Sequence, residues 1–185
     1  MLVRDAQRES RSVFLGGSVG QAVSGTLWAL SAAMGTWSTH RRAILVLVIG
    51  GMFIFPVTQL VLRALGRRSG LSPGNPLTGL AMQIAFTVPL TLPVVGAATL
   101  HNVNWFYPAC MIIVGAHYLP FIFLYGMIEF GGLAALLLGG GVYLGLRMPH
   151  DFVLGGWFTA AVLFLFAAIA RGAAARADRR AASAS

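Results

Sequence analysis

An all-α, polytopic bundle of six transmembrane helices is the architecture this chain predicts, on three grounds. Hydrophobic residues make up 57% of it and charged residues only 10%, too few charges to solvate the surface of a soluble domain of this size. Apolar runs of about 20 residues recur along it, the length at which a helix crosses a hydrocarbon core. Those runs are continuous rather than alternating, so they do not read as barrel strands. Helices, which pair their own backbone groups, are then what the bilayer core permits.

The elements follow in order. Residues 1–12 form a polar N-terminus with Arg4, Arg8 and Arg11. The first span covers about 13–37; it is too long for the apolar part of a secretory signal, and no small-residue cleavage site follows it. The second covers 43–62 and the third 76–100. Asn75 is placed to cap the third, with Pro76 in its first turn, where a missing N–H costs nothing. The apolar stretch from Trp105 to Leu146 is about twice what one span needs. Glu129 and Gly131-Gly132 interrupt it, which gives a fourth span at 105–124 and a fifth at 130–146. A short turn from Arg147 to Asp151 leads to the sixth, at 152–170. The Ala-, Arg- and Ser-rich tail, 171–185, has little to bury and is expected to be mobile or to lie on the membrane surface.

All thirteen basic residues are arginine, and five acids leave a net charge of +8. In a soluble protein this balance points to nucleic acid; here the arginines sit between the apolar runs and at the ends, so no nucleic-acid partner is expected. Ten fall in the N-terminus, the loop after the second span and the tail, against Arg41, Arg42 and Arg147 in the alternate loops. The positive-inside rule then puts both termini in the cytoplasm, with the arginines against anionic lipid headgroups. Three spans in each half would be oppositely oriented, as in inverted-repeat transporters, although no residue-level similarity between the halves is evident. The one cysteine, Cys110, allows no intrachain disulfide.

Polar residues inside the spans are the candidates for chemistry. In the first span Gly17, Gln21, Ser24, Trp28, Ser31 and Gly35 share one helical face. Gly16, Gly20 and Ser24 add a ridge of small residues that suits close helix packing, with Gln21 bonding across helices. The third span carries Gln83, Thr87 and Thr91 beside Pro89 and Pro93, whose missing N–H groups free the carbonyls of Ala85 and Pro89. Such a break either forms a site or is a kink. The second has a milder version, Pro56 with Gln59. His101, Asn102 and Asn104 fall at the outer interface with Trp105 and Tyr107. His117 lies about 18 Å beyond Trp105 at 1.5 Å per residue, near the middle of a core roughly 30 Å thick. An ionisable residue at that depth is a functional candidate, here with neighbouring Tyr118. Glu129 is the acid at the inner boundary. With no HxxxH, CxxC, nucleotide loop or nucleophile elbow, no metal, cofactor or catalytic residue is assigned.

The segments NWFYPA (Asn104–Ala109) and AHYLPF (Ala116–Phe121), followed by the Gly-rich helix from Gly131 to Leu146, carry a resemblance. From about Gly16 to Leu146 the chain resembles a family of small bacterial membrane proteins of unknown function. The resemblance implies a bacterial inner-membrane setting and no activity. The lack of Lys and the abundance of Ala, Gly and Arg fit a GC-rich genome.

Two functional readings stand. One is a small transporter or channel with a polar site between the first, third and fourth spans. The other is a non-catalytic membrane scaffold or partner subunit, with homo-oligomerisation left open. An intramembrane enzyme has the least support.

Overall fold

The structure is a computed structural model that describes residues 1–68 and 70–182, apart from the side chains at 178 and 180–182. Among the described residues it is all-helical: α1 (Val3–Phe14), α2 (Ser18–Trp37), α3 (His40–Gly51), α4 (Ile54–Ala64), α5 (Thr78–His101), α6 (Phe106–Tyr125), α7 (Glu129–Arg147) and α8 (Leu154–Ala182). The last three residues of the expected tail lie outside the described residues. The rest of the tail continues α8 as helix, well past the expected end of the sixth span.

The first apolar run is not one helix. Leu15, Gly16 and Gly17 take φ of 51°, 65° and 78° in succession, a kink that separates the polar helix α1 from α2. Glycine enters this left-handed region freely; leucine does so at a cost of about 1–2 kcal/mol. The crossing part is therefore α2 alone, 20 residues or about 30 Å long. The second run also breaks: α3 and α4 meet at Met52–Phe53 with a bend of 56°. Pro56 has no N–H to offer the Met52 carbonyl one turn earlier, so the ladder cannot run through the joint.

Contacts between helices fix the path of the bent pair. Ser31 on α2 donates to the Ala43 carbonyl of α3 at 2.8 Å. Gly50 receives the Leu27 side chain, and Thr58 of α4 lies opposite Gly20. Positions 43, 50 and 58 thus descend along α2 from 31 to 20, and α3–α4 together run antiparallel to α2 from end to end. With the five helices that are individually long and apolar enough to span, the bent pair brings the candidate spans to six by length and composition. One end of the bundle gathers α1, the α4–α5 loop, the α6–α7 turn and the last part of α8. The opposite end gathers the α2–α3, α5–α6 and α7–α8 connections.

Packing is closest where glycines allow it. A Cβ at Gly115 of α6 would fall 2.9 Å from the Leu138 amide nitrogen of α7, and one at Gly141 would fall 2.8 Å from the Pro108 carbonyl oxygen. α2 packs against α8 through Gly25, which meets Leu163 and Ala160. The expected small-residue ridge is placed differently: Gly16 belongs to the turn, and a Cβ at Gly20 would sit an ordinary 3.8 Å from Thr58. α5 is peripheral, packs mainly on α6, and is far less buried than α2 or α8.

Short polar side chains set the helix ends. Thr39 accepts from the Arg42 amide at the start of α3. Asp151 Oδ1 accepts from the amides of Val153 and Leu154 at the start of α8. Asn75 Oδ1 accepts from the Leu77 amide just before α5. Gly126 closes α6 in the left-handed conformation, its N–H directed back to the Ile122 carbonyl.

Candidate functional site

The polar face of α2 divides into two parts. Toward its C-terminal end the groups are satisfied. Ser31 spends its proton on Ala43, so the hydroxyl bond of 2.6 Å between Ser31 and Tyr107 has Tyr107 as donor. Trp28 lies against Tyr107 with ring centroids 5.8 Å apart. This knot ties α2, α3 and α6 together. Toward the N-terminal end, Gln21 is only 2% exposed, yet its carboxamide oxygen has no hydrogen-bond partner.

α4 brings a second carboxamide to the same region. Gln59 is 9% exposed, and its oxygen and the Thr58 hydroxyl are likewise buried without partners. Helical geometry relates the two glutamines. Gly20 and Thr58 face one another across an antiparallel pair. The next residue on each helix is rotated by about 100°, and in antiparallel helices those rotations carry Gln21 and Gln59 to the same side. Gln21 is two turns from Trp28 on the same face of α2, and Trp28 lies against Tyr107 of α6, so that side looks toward α6. Tyr118, two turns from Tyr125 on α6, stands within about one turn of Gln21 in depth. It is packed in an aromatic cluster with Phe121 and Phe130, at ring separations of 5.3 and 6.0 Å. Counted along the helices, Gln21 and Gln59 lie roughly 5–8 Å inside the end that carries α1.

The other sequence candidates are dispersed. His117 lies deeper, on the face of α6 turned to α5, near the Ile84 backbone. Its ring is 5.1 Å from Phe121, and its Nδ1 is buried without a partner. Gln83 and Thr87 are exposed on α5, and Thr91 is half-buried. Thr87 donates to the Gln83 carbonyl at 3.2 Å and Thr91 to the Thr87 carbonyl at 2.8 Å, so these hydroxyls are bound within their own helix. The structure does not bring them to Gln21, because α5 packs outside α6. His101, Asn102 and Asn104 gather at the far end. His101 lies 5.2 Å from the Trp105 ring, and Asn102 Oδ1 accepts from the Asn104 amide. Asn104 lines an open depression of about 630 Å³ there with His40, Arg147 and His150. Glu129 lines a smaller one of about 250 Å³ at the α1 end, with Arg11 and Arg176. Neither depression is lined by Gln21, Gln59 or His117.

The part that α4 takes in this group is the least visible in the sequence. Pro56 followed by Thr58 and Gln59 inside an apolar run was the available signal. Its weight appears only once the bend and the packing on α2 are known. Among the described residues, no group of three or more His, Cys, Asp or Glu side chains is placed to hold a metal ion, and Cys110 is buried in the core.

The fold is thus that of a polytopic helical membrane protein, with a small group of neutral polar side chains inside one end of the bundle whose buried oxygens have no hydrogen-bond partner. The chain belongs to DUF7010, a family of unknown function, which matches residues 3–171. No curated protein and no solved structure matches it.

Proposed function

We propose that the protein is a small transporter or channel whose polar site lies between α2, α4 and α6. The observation that carries this reading is the pair of buried carboxamides, Gln21 and Gln59, beside a span bent at mid-length. A buried polar group left unpaired costs about 1–3 kcal/mol. Two on one side of one helix pair are best accounted for by a solute that completes their hydrogen bonds. Broken helices beside such groups recur in transporter sites. The groups turned to this region are carboxamides and hydroxyls, which suits an uncharged or singly charged polar solute. The setting proposed is the bacterial inner membrane, with the arginine-rich end against anionic headgroups on the cytoplasmic side.

The test is flux into liposomes across a panel of monovalent ions and small polar solutes. Gln21→Leu and Gln59→Leu should each lower flux at least about tenfold, the equivalent of about 1.4 kcal/mol, while the protein still folds. A scaffold is the second reading, favoured by the backbone-close packing of α6 on α7 around Gly115 and Gly141. For a scaffold, the folded wild-type protein would carry no solute of the panel, and the same substitutions would leave stability unchanged or raise it.

A further inference from the structure

α1 is bound to the rest of the molecule on two sides. On one side Gln7 Nε2 donates to the Phe123 carbonyl at 2.7 Å and Arg11 donates to the Tyr125 carbonyl, both at the end of α6. On the other, Glu9 holds the loop between α4 and α5. Its carboxylate accepts from the Ser72 amide at 2.6 Å, the Ser72 hydroxyl at 2.9 Å and the Asn75 carboxamide at 2.8 Å. α1 therefore runs between the end of α6 and the α4–α5 loop, at the end of the bundle nearest Gln21 and Gln59. Ala6, Ser10 and Val13 are buried beneath it, while Arg4, Asp5 and Arg8 stay in solvent. Behind it stand the three consecutive left-handed residues Leu15, Gly16 and Gly17, a joint at which a helix can swing with few dihedral changes.

We infer that α1 is a hinged lid over the carboxamide site, and that the route between that site and the arginine-rich side passes beneath it. The lid closes when Glu9 binds the α4–α5 loop and opens when that contact is released. Its amphipathic form suits both positions, since a short helix with one apolar stripe rests equally well on a membrane surface. This inference rests on the transport reading for its purpose, though not for its geometry.

The experiment separates the two. In a Cys110→Ala background, Gln59→Cys reports access from the α1 side through its rate of reaction with a small, membrane-impermeant thiol reagent in proteoliposomes. Thr58→Cys serves as a second reporter if Gln59→Cys fails to fold. Glu9→Ala should speed labelling at least about tenfold, because three hydrogen bonds to a carboxylate are lost. In the same Cys110→Ala background with Gln59 intact, joining Glu9→Cys to Ser72→Cys with a short bismaleimide should hold the lid shut and suppress solute flux. Labelling that is unchanged both by Glu9→Ala and by removal of residues 1–14 overturns the lid. So does flux that is undiminished by the cross-link, which leaves the transport reading standing. Labelling that rises as expected in a protein that carries no solute keeps the lid and overturns transport.

Discussion

Glu9 is the residue on which the docking of α1 depends most directly. Hydrogen bonds from the Asn75 side chain and the Ser72 backbone, with a further pull from Arg68, hold its carboxyl below the ordinary glutamate range against the opposing effect of desolvation. A carboxyl whose pKa is depressed by docking favours docking at pH values above the undocked pKa. That contribution is lost as pH falls through the depressed value. Protease cleavage within α1 should therefore stay slow from neutral pH down to the ordinary glutamate range and accelerate below it. In Glu9→Gln the acid-side acceleration should be absent, with faster cleavage at neutral pH. Nothing local in the sequence announces this contact. Glu9 reads as one charge in a polar terminus, and its partners lie more than sixty positions away in an irregular loop. Gln21, by contrast, was legible at once, because a carboxamide inside an apolar run is conspicuous wherever the helix turns. Its companion Gln59 needed the bend to give it weight.

The helices themselves were mostly legible, because a run of about 20 apolar residues has few other fates. Their breaks were less so. The turn between α6 and α7 falls at Gly126–Ile128, inside the stretch where Glu129 and the neighbouring glycines interrupt the pattern. The turn at Leu15–Gly17 was hidden, since hydropathy rises smoothly from Val13 and the left-handed conformations follow from the docking of α1 onto α6 and the α4–α5 loop. The joint between α3 and α4 was legible only in part: Pro56 removes the bond to the Met52 carbonyl, but the size of the bend is fixed by packing on α2, which the sequence does not display. Close approach of helices is equally a matter of partners. Gly115 and Gly51 look alike in sequence, yet a Cβ meets the α7 backbone at the first and open space at the second. Gly115→Ala should lower stability in detergent by about 1–3 kcal/mol through overpacking. Gly51→Ala should be neutral or stabilising by up to about 1 kcal/mol. Thermal melting of the two variants against wild type checks both.

At the scale of the molecule, both described termini lie at one end of the bundle, and that end carries most of the arginine. Arg4, Arg8, Arg11, Arg63, Arg67, Arg68, Arg171, Arg176 and Arg179 belong to it, against Arg41, Arg42 and Arg147 at the other. The expected outcome is a cytoplasmic C-terminus and an external loop at Asn102. An alkaline phosphatase fusion should be active at Asn102 and silent at the C-terminus; the reverse pattern would invert the orientation. The same arrangement bears on how the protein is made. The first crossing, α2, finds its broadest partner in the last, α8, with Gly25 seated against Leu163. During synthesis the N-terminal helix emerges long before that partner exists. The buried face of α2, with Gln21 and Ser24 on it, must wait in lipid or beside the insertion machinery until the final helix leaves the ribosome. Nascent chains stalled before α8 should consequently be the species most prone to degradation, and the closing step of assembly is the joining of the two ends of the chain.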